Sequence, residues 1–185
     1  MSIEQPAPLT ISCRCGAVAF EATGKPIMSA ACYCASCQEA GARIERLPDA
    51  PPVLDADGGT SFVLHRKDRV RCTGGSDLLE DHRLSPDAPT RRVVAGCCNS
   101  AMFLEFSKGH WLSLYRNRIS GDAPPLEIRV MTRDCREGVV LADDLPTYAT
   151  HSGKFMWRLL IAWAAMGFRV PAIQGERPLP GRTRS

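Results

Sequence analysis

A mainly β chain with one helix near its C-terminus is predicted by three observations. Short runs of alternating apolar and polar residues recur between turn residues; cysteines gather in tight knots at the ends of such runs; and one segment after Gly153 is dense in helix formers. The strands are expected to be mainly antiparallel and to fold around the cysteine knots.

Residues 9–23 read as a hairpin. Thr10-Ile11-Ser12 enters Cys13-Arg14-Cys15-Gly16, and Ala17 to Glu21 leaves it in alternation. Gly16 tolerates the positive φ that turns a backbone sharply beside a metal. Residues 27–33 form a second strand arriving at Cys32-Tyr33-Cys34-Ala35-Ser36-Cys37. Over 35–46 a short helix is expected, with Cys37, Ala40 and Ile44 on one face and Pro48 beyond its end. A loop rich in Pro, Gly and Asp covers 49–59. Strands follow at 61–65, 70–73, 78–84 and 91–95, the last two parted by Ser85-Pro86-Asp87-Ala88-Pro89. Residues 101–106 run out of the Cys97-Cys98 pair as a further strand. Residues 110–119 suit a helix, although Trp111, Leu114 and Tyr115 also suit core packing; 126–132 suit a strand.

The helix expected over 154–166 ends at Gly167, a natural C-cap. Phe155, Leu159 and Trp163 form a stripe on it, with Met156 and Leu160 alongside. Two roles are open for this apolar surface: docking on its own domain, and contact in a homodimer. The Pro-, Gly- and Arg-rich tail after Arg169 is expected to be mobile or to lie over the surface. The chain of 185 residues is thus read as one domain at 9–150 followed by a helix and tail at 151–185.

The formal charge of +3 is modest, and Arg66, Lys67, Arg69 and Arg71 are answered by Asp77, Glu80 and Asp81, which argues against nucleic acid as a partner. Met1 to Pro6 carries neither a basic leader nor an apolar run, and no stretch reaches the roughly eighteen apolar residues of a membrane span. A cytoplasmic protein is expected, in a compartment where clustered cysteines are more often metal ligands than disulfides.

Seven of the nine cysteines fall in Cys13/Cys15, Cys32/Cys34/Cys37 and Cys97/Cys98. Such spacings let neighbouring thiolates converge on one ion, and zinc takes four soft ligands at about 2.3 Å in a tetrahedron. Disulfide geometry is harder to satisfy between residues separated by one. Cys72 and Cys135 are isolated and read as small core residues.

The segments Ser12-Cys13-Arg14-Cys15-Gly16-Ala17-Val18 and Cys32-Tyr33-Cys34-Ala35-Ser36-Cys37 resemble the opening motifs of the glutathione-dependent formaldehyde-activating enzymes. The resemblance covers about residues 9–106 and fades from Lys108 onward. It implies an Mss4-like fold in which Cys13 and Cys15, with a late cysteine pair, hold a structural zinc. It also implies that Cys32, Cys34 and Cys37 hold a second zinc, partly occupied, with one position open to glutathione sulfur or substrate. The third motif departs. Matching Cys98-Asn99-Ser100-Ala101-Met102 to the family's last Cys-Gly-Ser/Thr-Pro-Leu puts the partner cysteine's place on Ala95, while Cys97 stands adjacent. Successive side chains of a strand point to opposite faces. Either a turn beginning at Gly96 brings Cys97 and Cys98 to one metal, or Cys98 serves alone and Cys97 faces elsewhere.

The activity so implied is that of a carbon–sulfur lyase acting on a glutathione adduct of formaldehyde or a comparable small electrophile, with Cys32, Cys34 and Cys37 as catalytic metal ligands. The fourth ligand of the open zinc is left to water, substrate or one of His65, His82, His110 and His151. Glu39, Glu80, Asp81 and Glu105 are the carboxylates considered as bases, and Arg14, Arg43 and Arg46 stand near the motifs as contacts for glutathione carboxylates. The alternative is a non-catalytic zinc module that binds another protein through its C-terminal helix.

Overall fold

The computed structural model describes residues 7–175; Met1 to Pro6 and the tail beyond Gly175 lie outside the described residues. The chain is mainly β, in two sheets. Strands β1 (Leu9–Ser12), β2 (Ala19–Ala22) and β5 (Val70–Gly74) form an antiparallel three-stranded sheet in the order β1-β2-β5. The seven-stranded sheet has the order β10-β3-β4-β9-β8-β7-β6, from β3 (Met28–Cys32), β4 (Thr60–Arg66), β6 (Leu79–His82), β7 (Thr90–Ala95), β8 (Ser100–Phe106), β9 (Trp111–Tyr115) and β10 (Ile128–Val130). It is antiparallel except at its edge, where β10 lies parallel to β3. Helix α1 spans Ala35–Glu45 and α2 spans Gly153–Ala164.

Period-two alternation explains how the large sheet is covered on both faces. Val63, Val93, Leu112 and Leu114 point with Phe103 to one side, where they meet Ile11, Phe20 and Val70 of the small sheet. Phe20 and Phe103 pack edge to face there, with ring centroids 5.5 Å apart. Phe62, Leu64, Val94, Leu104 and Tyr115 point to the other side, where Cys37 and Ile44 of α1 and Phe155 and Leu159 of α2 cover them. The result is three layers: small sheet, large sheet, helices. The pairing of β7 with β8 shifts register, Val93 opposing Phe103 and Val94 opposing Ala101. Met102 is the extra residue of that bulge, so it and Phe103 both reach the inter-sheet core.

Residues 110–119 are not a helix. They form strand β9 and a 3₁₀ turn at Arg116–Arg118, because Leu112 and Leu114 alternate with Trp111, Ser113 and Tyr115 across a central strand paired on both sides. The strand at the end of the sheet is parallel rather than antiparallel, since β10 reaches it by a long connection rather than a hairpin. Helix α1 matches expectation: Cys37, Ala40 and Ile44 are buried together. Helix α2 is capped by Ser152, whose Oγ accepts from the Phe155 amide at 3.1 Å. It closes at Gly167, where φ is +63°, and Phe168 N–H donates to the Trp163 carbonyl.

The buried side of α2 is Phe155, Leu159 and Ala162, so the helix docks on its own chain. Trp163 lies half-buried, stacked on His110 at 5.5 Å, while Met156, Trp157, Leu160 and Ile161 face outward. The described part of the tail is not loose: Ile173 is buried, and Gln174 carries the carbonyl that accepts from the Cys72 amide. Among the described residues no helix is long and apolar enough to cross a membrane.

Candidate metal centres

The first cysteine group is built where the β1–β2 hairpin meets the β7–β8 turn. In the hairpin, Cys13 N–H donates to Val18 O and Gly16 N–H returns to Cys13 O, with Gly16 at φ +79°. A Cβ at Gly16 would meet nothing within 4 Å, so the conformation and not space is what selects glycine there. In the β7–β8 turn the left-handed residue is Asn99 at φ +53°, and its side-chain amide donates to Pro48 O. Gly96 has a different reason: a Cβ there would stand 2.5 Å from Glu80 Oε1. Ser100 Oγ ties the two loops, accepting from the Arg14 amide at 3.0 Å and lying 3.1 Å from Cys98 Sγ.

This geometry brings Cys97 and Cys98 together, with Cys13 and Cys15, so that all four Sγ atoms lie within 4.8 Å of one another. Four of the separations are 3.5 Å (Cys13–Cys15), 3.8 Å (Cys13–Cys97), 3.4 Å (Cys15–Cys97) and 3.9 Å (Cys97–Cys98). A tetrahedron of sulfurs about 2.3 Å from a central ion has edges of about 3.8 Å. The donor set therefore fits a closed four-thiolate site, and all nine cysteines are free of disulfides. The Val18 amide donates to Cys13 Sγ at 3.2 Å. Burial pushes the Cys98 thiol up, but hydrogen bonds from Ser100 and from Cys15 outweigh it and bring it down to about 6.

The second group sits on the other face of the large sheet, at the junction of β3 and α1. Cys32 ends β3, Cys34 occupies the N-cap of α1 in extended conformation, and Cys37 lies in the first turn, its amide bonded to Cys34 O at 2.9 Å. Three Sγ atoms lie within 4.8 Å of one another, and among the described residues no fourth ligand joins them. The group holds its protons unequally. Hydrogen bonds from Cys32 and then Cys37 press Cys34 far down, toward thiolate, while the same contacts with Cys34 and Cys37 push Cys32 far up. Three thiols at such range, at the positive end of a helix, make a donor set shaped for a cation.

Arg92 is the residue that sequence reasoning missed here. It is 1% exposed, donates from Nη2 to Ser36 O at 3.0 Å and from Nη1 to Thr90 Oγ1, and its Nε has no partner. The Cys37 thiol is lowered by its hydrogen bond with Cys32 but pushed up to about 12 by Cys34 and burial, a rise that the Arg92 charge moderates. No local spacing announces Arg92, since it reaches the loop from β7, across the sheet. On the other side, Gln38 clamps the loop after β10 to the end of β3, donating to Tyr33 O and Asp134 O. A cavity of about 90 Å³ opens beside Cys32 and Cys37 and is lined also by His151 and Phe155.

The remaining candidates fall elsewhere. His65 is buried on β4 with Nε2 3.4 Å from Gly24 O, His82 lies 3.7 Å from Glu80, and His110 Nε2 lies 2.8 Å from Leu159 O; of the four histidines only His151 lines the cavity. Glu39 pairs with Arg43 on the surface, Asp81 accepts from Arg91, and Glu105 is buried with Lys67 and Arg91, so none of these carboxylates, nor Glu80, lines it. Arg14 and Arg46 are exposed, and Arg43 also donates to Leu84 O. Cys72 and Cys135, both half-buried, stand outside the two groups.

Residues 8–47 match the family model described as glutathione-dependent formaldehyde-activating enzyme. A solved Rhodobacter sphaeroides protein is similar at 14% identity and a TM-score of 0.45, over 62% of this chain and 91% of that one. No curated protein matches the chain. The matched segment, residues 8–47, is the part of the chain that carries both opening cysteine motifs.

Proposed function

We propose that the protein is a zinc-dependent carbon–sulfur lyase that makes or breaks the adduct between glutathione, or a similar small thiol, and a small aldehyde. The observation that carries this reading is the convergence of Cys32, Cys34 and Cys37, three sulfurs with no fourth among the described residues, two of which, Cys32 and Cys37, line a cavity. The four-cysteine group is its contrast: coordinatively complete, and suited to stapling the β1–β2 hairpin to the β7–β8 turn.

Cys32, Cys34 and Cys37 would hold the zinc, which would supply a fourth position able to acidify a thiol. The chain's own residues do the rest. Cys32, Cys34 and Cys37 fix the position, and buried Arg92 offsets the negative charge that three thiolates leave on a divalent ion. In the forward direction the thiol gives up its proton, its sulfur forms a bond to the carbonyl carbon, and the π pair moves to the oxygen, which takes up a proton. The reverse breaks the carbon–sulfur bond and restores the carbonyl. His151 is the imidazole placed on the cavity to hold that proton.

The test is a metal count followed by exchange. Two zinc ions per chain are expected, one of which shifts its spectroscopic signature on adding glutathione when cobalt replaces zinc. A chain whose two sites both ignore glutathione, and which neither forms nor cleaves thiol–aldehyde adducts, has a different function. The outward Met156, Trp157, Leu160 and Ile161 of α2 favour a second reading, a zinc module that binds another protein; it requires a chain that holds two inert metals.

A further inference from the structure

The cavity beside the three-cysteine group is mainly apolar. Its walls are Ala30 of β3, Phe62 and Leu64 of β4, Trp111 of β9, Val130 of β10 and Phe155 of α2. Its polar atoms are few: the thiols of Cys32 and Cys37, the Ser113 hydroxyl and the His151 imidazole. Formaldehyde carries no hydrocarbon substituent, and its adduct would leave this apolar surface unfilled. An apolar cavity of about 150 Å³ accepts benzene. By that measure, the roughly 90 Å³ present here accommodates about four carbon atoms. Only Ala30, Cys32 and Cys37 of the lining fall in the family-matched segment 8–47; the central strands supply most of the wall, and His151 and Phe155 close it from the C-terminal region.

We infer that this cavity binds the hydrocarbon side of the substrate, which makes the electrophile an aliphatic aldehyde of about four carbons in all, its carbonyl carbon included. The inference rests on the reading of Cys32, Cys34 and Cys37 as the place where the thiol sulfur is held. With sulfur there, a carbon bonded to it enters the cavity next to Cys32 and Cys37, and its substituent extends toward Phe62, Trp111 and Phe155. Each methylene buried in such a wall tightens binding roughly fourfold, until the space is full.

Two ligand series test this on the zinc-loaded protein, S-alkylglutathiones and plain alkanethiols, each from one to eight carbons. Binding is read by calorimetry and by the fluorescence of Trp111, compared with the Trp111→Phe variant to isolate its signal. Affinity is expected to climb about fourfold per carbon to a maximum near four and then to level or fall. Ala30→Ile narrows the cavity and is expected to weaken the four-carbon ligand at least tenfold, with the one-carbon ligand changed less than threefold. Phe155→Ala widens it and moves the maximum to longer chains; it serves alone if Ala30→Ile does not fold. A maximum in both series supports the cavity and its link to glutathione. A maximum in the alkanethiols alone upholds the cavity and removes glutathione from the reading of the site. S-alkylglutathiones that bind without regard to chain length overturn the cavity inference and leave the lyase reading standing. No binding in either series overturns it as well.

Discussion

Cys15 and Cys34 are both metal-spaced cysteines, yet the layers around them predict opposite phenotypes. Cys15 belongs to a four-sulfur group joining two loops that otherwise share Ser100 and little else, so Cys15→Ser is expected to cost zinc and fold together. Cys34 caps a helix whose burial rests on Cys37, Ala40 and Ile44, so Cys34→Ser is expected to abolish adduct chemistry while the circular dichroism spectrum and most of the melting temperature survive. Equal unfolding by both variants would make the second group structural. Arg92→Met tests the charge argument. Outer-shell partners are commonly worth ten- to a hundredfold in metal affinity, and a loss of that size is expected at the three-cysteine site alone in competition with a chelator. A matching loss at the four-cysteine site would make Arg92 a general folding residue. The thiol groups were readable in the sequence because their spacing is local. Arg92 was not, because it reaches the site from a strand far along the chain with no neighbour that marks it; His151 stood among four candidate histidines, with nothing local to single it out. The turn that joins Cys97 to Cys98 was foreseen at Gly96, but its left-handed residue is Asn99.

At the level of elements, the strands and helices flanked by strong punctuation were legible, and β9 was not. Residues 110–119 offer apolar side chains at both helical and strand spacings, and only pairing with β4 and β8 on either side decides between them. The parallel edge strand β10 was equally hidden, since strand direction is a property of the connection and not of three residues. Helix α2 was readable as a helix, although its buried face runs through Ala162 rather than Trp163. Its cap gives a direct test: Ser152→Ala removes the bond to the Phe155 amide and is expected to cost about 1 kcal/mol, or about 2–4 °C in melting temperature. The loss should also loosen Phe155 in the cavity wall, visible as weaker binding of four-carbon ligands.

For the whole molecule, one buried carboxylate contributes to stability in a way that depends on pH. Burial alone would raise Glu105, but Arg91 and Lys67 on either side hold it below the ordinary glutamate range. A carboxyl lowered in the folded state contributes its stability in full above its unfolded value of about 4.5, and loses it as pH falls through the folded one. Glu105→Gln leaves two buried cations facing a neutral amide and is expected to destabilise by about 3–5 kcal/mol at neutral pH. The difference from wild type should shrink in acid, as seen in urea titrations from pH 7 to pH 3. Removal of metal gives the complementary test. A strong chelator is expected to take zinc in two phases, the three-cysteine site first with little unfolding, the four-cysteine site later with loss of the native fold. A single phase would mean that the two sites are one cooperative unit.

The seven-stranded sheet stands between the two cysteine groups, and the apolar residues around each belong to separate cores with no member in common. Residues that share no partners change stability nearly independently. A lineage built on this plan can therefore redraw the helical side, altering Ala30, Trp111 or Phe155 to suit a new electrophile, while the hairpin side goes on supplying the same scaffold. Selection on substrate and selection on foldability act on opposite faces of one sheet, and the chain is free to answer each in turn.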